Sequence, residues 1–260
     1  MNLNVVLALL YRDWLTFTRA KYRLVETFYF PIITVLMWGM FSIFMKNFSL
    51  EAGLIVLVMN VFWNFAYTSQ STTNMSMAED IWSGSLKQLF ISGIGKTEFI
   101  VARIIFSIIV SLFLMVIMFL IAYYVFDLSL FITHFGSISL LITITLISSL
   151  ALSVFVAAFI LATSREYVFL SWTILQIFIL LSAPFYTVDI LPTPLQYVAG
   201  IMPYTDVFES ARNLIITNSI DSSLIVRGFV VSLSYFLISF PIYYFSFNTA
   251  RKNGNIVKMG

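Results

Sequence analysis

Residues 79–99 read E-D-I-W-S-G-S-L-K-Q-L-F-I-S-G-I-G-K-T-E-F and stand between two long apolar runs. The stretch holds Glu79, Asp80 and Glu98, the lysines Lys87 and Lys96, and glycines at 84, 93 and 95. A plain connector needs only a few residues. Trp82, Leu86, Leu89 and Phe90 fall at i, i+4, i+7 and i+8, which is one face of a helix. Glu79 and Asp80 would start that helix, where its dipole favours negative charge. Gly93 and Gly95 would end it, and Thr97 with Glu98 would cap the next. A helix with rigid ends and an apolar face needs something to dock into. The alternative is a helix resting on lipid headgroups.

The surrounding sequence is that of a membrane protein. Of the 260 residues, 60% are hydrophobic and 10% are charged, against about 25% charged in a soluble domain. The expected class is an all-α integral membrane protein, one transmembrane domain over 1–260. Without cysteine there are no disulfides and no thiolate chemistry. A net charge of +2 gives no reason to expect a nucleic-acid partner. The opening M-N-L-N-V-V-L-A-L-L-Y-R-D-W has neither a basic region before its apolar run nor a small-residue cleavage site, so it does not read as a signal peptide.

A bilayer core takes about 20 apolar residues per helix. Six segments meet that length: 25–45, 53–74, 99–125, 137–162, 167–187 and 224–247. Continuous apolar runs of this length argue against a barrel of alternating strands. With the N-terminus inside, Arg12, Arg19, Lys21, Arg23, Lys87, Lys96, Arg103, Arg165, Arg251, Lys252 and Lys258 are cytoplasmic. Only Lys46, Arg212 and Arg227 are then outside. Both termini and residues 79–99 are therefore expected at the cytoplasmic face of a multi-pass protein of the cytoplasmic membrane.

Two flanking segments complete the plan. Within 1–22, Leu3, Leu7, Leu10, Trp14 and Phe17 form a helical stripe, with Arg12, Asp13 and Arg19 away from it. This predicts an amphipathic helix in the cytoplasmic interface, the alternative being a frayed extension of the first span. Residues 188–220 follow the fifth span. The stretch from 182 to 212 holds four of the six prolines, at 184, 192, 194 and 203, among dense apolar residues. Proline stops a continuous helix, and such a segment is too apolar for a solvated loop. Short re-entrant helices at outer-leaflet depth are expected, packed on protein or lining a wet cavity.

Several chemistries find no residues to carry them. His134 is the only histidine, and no Cys/His/Asp cluster has metal-ligand spacing. S-G-I-G-K-T at 92–97 ends like a phosphate loop, but Phe90 stands where the first glycine is needed. Every carboxylate falls at or beyond a span edge, with Glu26 the nearest to an exception. An ion-driven carrier or channel therefore has little support. An intramembrane lipid-modifying enzyme would have to work with Asp189, Asp206 and Glu209. Transport without ion coupling or a nucleotide site draws its energy from a partner.

These features together resemble the membrane subunit of an ATP-binding-cassette exporter, in the group that exports polysaccharides, lipids and drugs. The resemblance rests on six spans behind an interfacial helix. It rests next on the pattern acidic-x-x-x-x-Gly-x-Leu-x-x-Leu, read as Glu79, Gly84, Leu86 and Leu89, followed by Ser92-Gly93. The third feature is L-P-T-P-L-Q-Y-V-A-G-I-M-P-Y-T-D-V-F-E-S-A-R, in which Leu191, Pro192, Pro203 and Arg212 take recurrent positions. Ser92-Gly93 stands where the family often has Ser-Pro, a Leu-Gly-x-x-Trp motif is missing, and Met202-Pro203 replaces Asn-Pro. These departures weaken a long-glycan assignment and leave lipid or drug export at least as well placed.

The resemblance implies a dimer of membrane subunits, identical or paralogous, with separate ATP-binding subunits. ATP and magnesium would sit on those partners, with no cofactor in this chain. Residues 79–95 would be the coupling region: Trp82, Leu86, Leu89 and Phe90 as knobs in the ATPase, with Glu79, Lys87 and Gln88 at the rim and Gly84 among the pattern's residues. Pro192, Pro194, Pro203 and Arg212 would form the outer gate. Asn60 and Asn64, with Ser69 and Gln70, should face protein or a cavity, because unpaired amides in lipid are costly. Phe28, Tyr29, Phe30 and Trp38, with Trp63 and Phe65, are candidates for an aromatic path lining. The alternative for these rings is ordinary helix packing and interfacial belts.

Overall fold

A computed structural model of the chain describes residues 1–163 and 165–254, and no β-strand occurs among them. The first helix, α1 (Leu3–Arg19), starts at Asn2, whose side chain accepts from the Asn4 N–H at 3.1 Å. Val6, Leu9, Asp13 and Phe17 are its buried residues, and the helix packs on α6 (Lys96–Phe126). The predicted stripe is split by this arrangement. Phe17 packs inward, whereas Leu3, Leu7 and Trp14 are exposed on the neighbouring flank.

The next run, Lys21–Lys46, consists of α2 (Lys21–Leu24), a π-helical turn at Val25–Tyr29, and α3 (Phe30–Lys46). Ser49 then caps α4 (Leu50–Trp82) by accepting from the Ala52 N–H. At 33 residues α4 is the hub of the bundle and packs on α3, α6, α8, α9 and α11. The short helix α5 (Ser85–Ile91) lies between two left-handed glycines, Gly84 at φ 70° and Gly93 at φ 89°. Only glycine takes this conformation at little cost, so both ends of α5 are sharp.

After α6 come α7 (Leu130–Thr133) and α8 (Phe135–Ala162), then a 3-10 turn at Arg165–Phe169 leading into α9 (Leu170–Leu181). A 3-10 turn at Val188–Ile190, α10 (Thr193–Ala199) and α11 (Thr205–Thr217) precede the last helix, α12 (Ser222–Lys252). Pro192 caps α10 and Pro194 lies in its first turn, where the missing N–H costs nothing. Pro203 falls between α10 and α11. The prolines thus divide the segment into short helices.

Among the described residues five helices are long and apolar enough to cross a membrane: Lys21–Lys46, Leu50–Trp82, Lys96–Phe126, Phe135–Ala162 and Ser222–Lys252. They contain five of the six expected spans. The sixth, 167–187, holds a shorter apolar helix, Glu166–Leu181. Its α-helix has 12 residues, about 18 Å of rise against a core of about 30 Å. Apolar composition continues beyond it, but Ala183 turns left-handed at φ 51° and Pro184 follows.

The start of the coupling helix is corrected, since α4, which holds the second span, runs to Trp82 without a break. Glu79 and Asp80 therefore end α4 instead of starting the coupling helix. They occupy the end where the helix dipole opposes negative charge.

The helices α8 and α12 run parallel. Ser148 meets Ser232 at 2.8 Å midway, and Leu161 shares a cluster with Tyr243 and Phe247. One end of the bundle gathers α1, α5, the start of α6 and the end of α12, where Tyr243 donates to the Lys96 carbonyl. At the other end α11 packs on the start of α12 through the Asp206–Arg227 ion pair. Parallel neighbours require the chain to return between them, and 165–221 makes that return.

Candidate functional site

At the α1 end, buried charge surrounds the last turn of α4. Asp80 is buried and binds both Arg12 of α1 and Arg103 of α6. It also accepts from the Ser85 hydroxyl at 2.8 Å, which ties it to the first residue of α5. Arg103 is fully buried, lies 3.7 Å from the centre of the Phe99 ring, and faces Asp13 at 4.0 Å. Glu79 accepts from Arg23 at 2.9 Å and from the Tyr22 hydroxyl at 2.6 Å. These cations offset the unfavourable dipole at the helix end. Burial, and next the neighbouring Arg103, lower the pKa of Arg12.

The coupling region is corrected in its facing. Leu86 is fully buried, and Leu89 and Phe90 pack on the same cluster as Phe99 and Phe247. The Phe90 ring lies 5.0 Å from Phe99 and 4.8 Å from Phe247. Trp82 is half exposed and stacks on Trp172 of α9 at 6.0 Å. Three of the four knobs expected to enter a partner, Leu86, Leu89 and Phe90, are therefore held by the chain's own core. Burying a leucine contributes about 1.5–3 kcal/mol, and α5 gains it against α6 and α12. Lys87, Gln88, Ile91 and Ser92 point outward. Beside them is a groove of about 730 Å³, lined by Lys87, Ile91, Ile94, Lys96, Phe247 and Arg251.

Within the bundle a cavity of about 400 Å³ lies between three helices. Its walls are Glu26, Phe30, Thr34 and Trp38 from the first run, Asn60, Trp63, Asn64 and Tyr67 from α4, and Trp172 and Gln176 from α9. Of the predicted path residues, Phe30, Trp38, Asn60, Trp63 and Asn64 are brought together here. Phe28 is not, because its ring packs edge-on against Phe17 and Phe113. Asn60, Asn64, Tyr67, Ser71 and Asn74 recur every three or four residues, so one polar seam runs along α4 towards Glu79. Ser69 is buried and donates to the Phe65 carbonyl, and Gln70 is fully buried.

The segment above the cavity is tied down by Arg212. This buried side chain donates to the carbonyls of Ala183 at 2.8 Å, Pro184 at 3.3 Å and Tyr186 at 2.6 Å. Between those carbonyls, the ring of Phe185 stacks on Trp38 at 5.6 Å and touches Trp63 at 5.9 Å. Of the predicted gate residues Arg212 performs this anchoring. Pro203 is buried, with its carbonyl accepting from Ser148, whereas Pro192 and Pro194 are exposed.

The family described as ABC-2 type transporter matches residues 4–216, which span α1, the charged end, the cavity and nearly all of α11. The chain belongs to the ABC-2 type transporter family. No curated protein matches the sequence. Membership makes the chain a multi-pass membrane permease subunit, of a kind without a nucleotide-binding domain of its own. It also implies an ATP-binding partner subunit.

Sequence reasoning missed Arg23, Asp80, Arg103, Tyr67, Trp172, Gln176 and Phe185 in this permease. Arg103 and Asp80 carried a signal, being charges beside or within apolar runs. Trp172 and Phe185 carried none that separates them from other aromatics.

Proposed function

We propose that the chain is the transmembrane half of an ATP-driven exporter, moving a lipid, a drug-like amphiphile or a lipid-linked glycan out across the cytoplasmic membrane. The observation that carries this reading is the match to the ABC-2 family over the region that holds both α5 and the cavity. Energy would enter at α5, whose outer face (Lys87, Gln88, Ile91) and adjoining groove dock a separate ATPase. Asp80 would pass its movement on, since it binds α1, α5 and α6 together.

In this reading the chain makes six passes, with α9 and the Arg212-anchored segment sharing the fifth. The parallel packing of α8 and α12 supports that return. The α1 flank bearing Leu3, Leu7 and Trp14 rests on inner-leaflet lipid, and both described ends of the chain lie on the cytoplasmic side. Lys258 lies outside the described residues. A second membrane subunit faces the cavity, and Phe185 with Arg212 closes the path at its outer end. The test is ATP-dependent movement of a fluorescent amphiphile in liposomes holding the permease and its ATPase. Movement only with both subunits and ATP is expected. Movement without ATP, driven by an ion gradient, would favour a carrier instead.

A further inference from the structure

The cavity has a charge character that narrows what it holds. Among the described residues Glu26 is its only charged wall residue. The π-helical turn Val25–Tyr29 inserts an extra residue there, a device frequent at functional sites. One Glu26 oxygen accepts from the Trp172 indole N–H at 2.7 Å. Among the described residues no lysine or arginine pairs with Glu26. The nearby Arg23 is committed to Glu79 at 2.9 Å and to Ser76.

The cavity's polar groups nearest the aromatic walls bond to one another. Asn64 donates to Asn60 at 2.9 and 3.0 Å and accepts from Thr34 at 3.0 Å. A lipid phosphate would need a cation here. The site offers instead a carboxylate among aromatic faces, which is the environment that attracts organic cations.

We propose that this cavity binds an amphiphilic organic cation, its nitrogen or phosphonium centre beside Glu26, Tyr67 and Trp172, its apolar body against Phe30, Trp38 and Trp63. The proposal rests on reading the cavity as the export path and names the substrate class for it.

The probes are tetraphenylphosphonium and tetraphenylborate, which share size and shape and differ in sign of charge. Binding is read from tryptophan quenching in the full chain, in nanodiscs of zwitterionic lipid. Saturable binding of the phosphonium is expected, with Glu26→Gln weakening it about tenfold and, by removing a like charge, strengthening the borate. Glutamine keeps an acceptor for Trp172, so the local fold has no reason to change. Independently, Gln176→Lys sets a cation at an exposed wall position. It should weaken the phosphonium and strengthen the borate. Equal binding of the two probes to the natural chain, or phosphonium binding indifferent to both variants, would overturn the proposal. Either result would leave ATP-driven transport standing, because that is measured without these probes.

Discussion

Asp80 sits in the last turn of α4, where the dipole disfavours a carboxylate, yet it is buried among Arg12, Arg103 and Ser85. Removing one partner of a buried ion pair leaves the other uncompensated, at about 3–5 kcal/mol. Asp80→Asn, which leaves the fully buried Arg103 only the more distant Asp13 at 4.0 Å, should therefore destabilise the permease by up to about that amount. Arg12→Ala should cost much less, because the Arg12 side chain is 32% exposed and Asp80 keeps Arg103. Thermal unfolding in detergent ranks the two. Equal losses would show that Arg103 does not depend on Asp80. None of this pairing was legible in the sequence. Arg12 and Asp13 lie off the apolar stripe of α1 and read as a wet face. Asp80 joins residues 68 and 23 positions away, and hydrophobic periodicity says nothing about which charges meet across helices.

At the scale of the element, α5 shows what a pattern reveals and what it withholds. Its existence and its end at Gly93 were legible, and Leu86, Leu89 and Phe90 mark one face, but its start was read too early, at Glu79 and Asp80, which belong to α4. The partner of that face was not. Periodicity shows that a face is buried, not whether it meets another chain or the same one. The double change Leu86→Ala with Phe90→Ala is consequently expected to unfold this end of the permease instead of uncoupling it selectively. Emptying a fully buried leucine site alone costs about 2–5 kcal/mol. The measurement is the melting temperature of the double variant, which should fall well below that of Lys87→Ala. An unchanged melt would mean the face is free after all. The fifth span illustrates a different limit. Apolar composition over 167–187 suggested a full crossing, whereas the left-handed Ala183 and Pro184 stop the helix early.

Across the whole molecule, five long helices and the class of protein were legible because apolar runs of sufficient length have few other uses. The cavity was half legible. Amides on α4 had to face something other than lipid, and aromatic residues nearby were natural neighbours, but α9's share depended on tertiary packing. The proposed topology puts Lys87 on the cytoplasmic side and the α11–α12 loop outside. Asp206 is buried against Arg227, so the exposed Ser219 is the better outer probe. In this cysteine-free chain, Lys87→Cys and Ser219→Cys should be labelled by an impermeant reagent from opposite sides. Labelling from one side would refute an odd number of crossings between them. The central claim, that an ATPase drives the permease through the outer face of α5, is tested at Ile91, which is 74% exposed. Ile91→Glu buries nothing and should leave stability within about 0.5 kcal/mol. The decisive measurement is ATP hydrolysis in the permease complex purified from its native membrane. Hydrolysis that accompanies the natural chain and is lost with Ile91→Glu, at unchanged melting temperature, is the predicted result. Hydrolysis absent from the natural complex, or retained in full by the variant, would contradict the account.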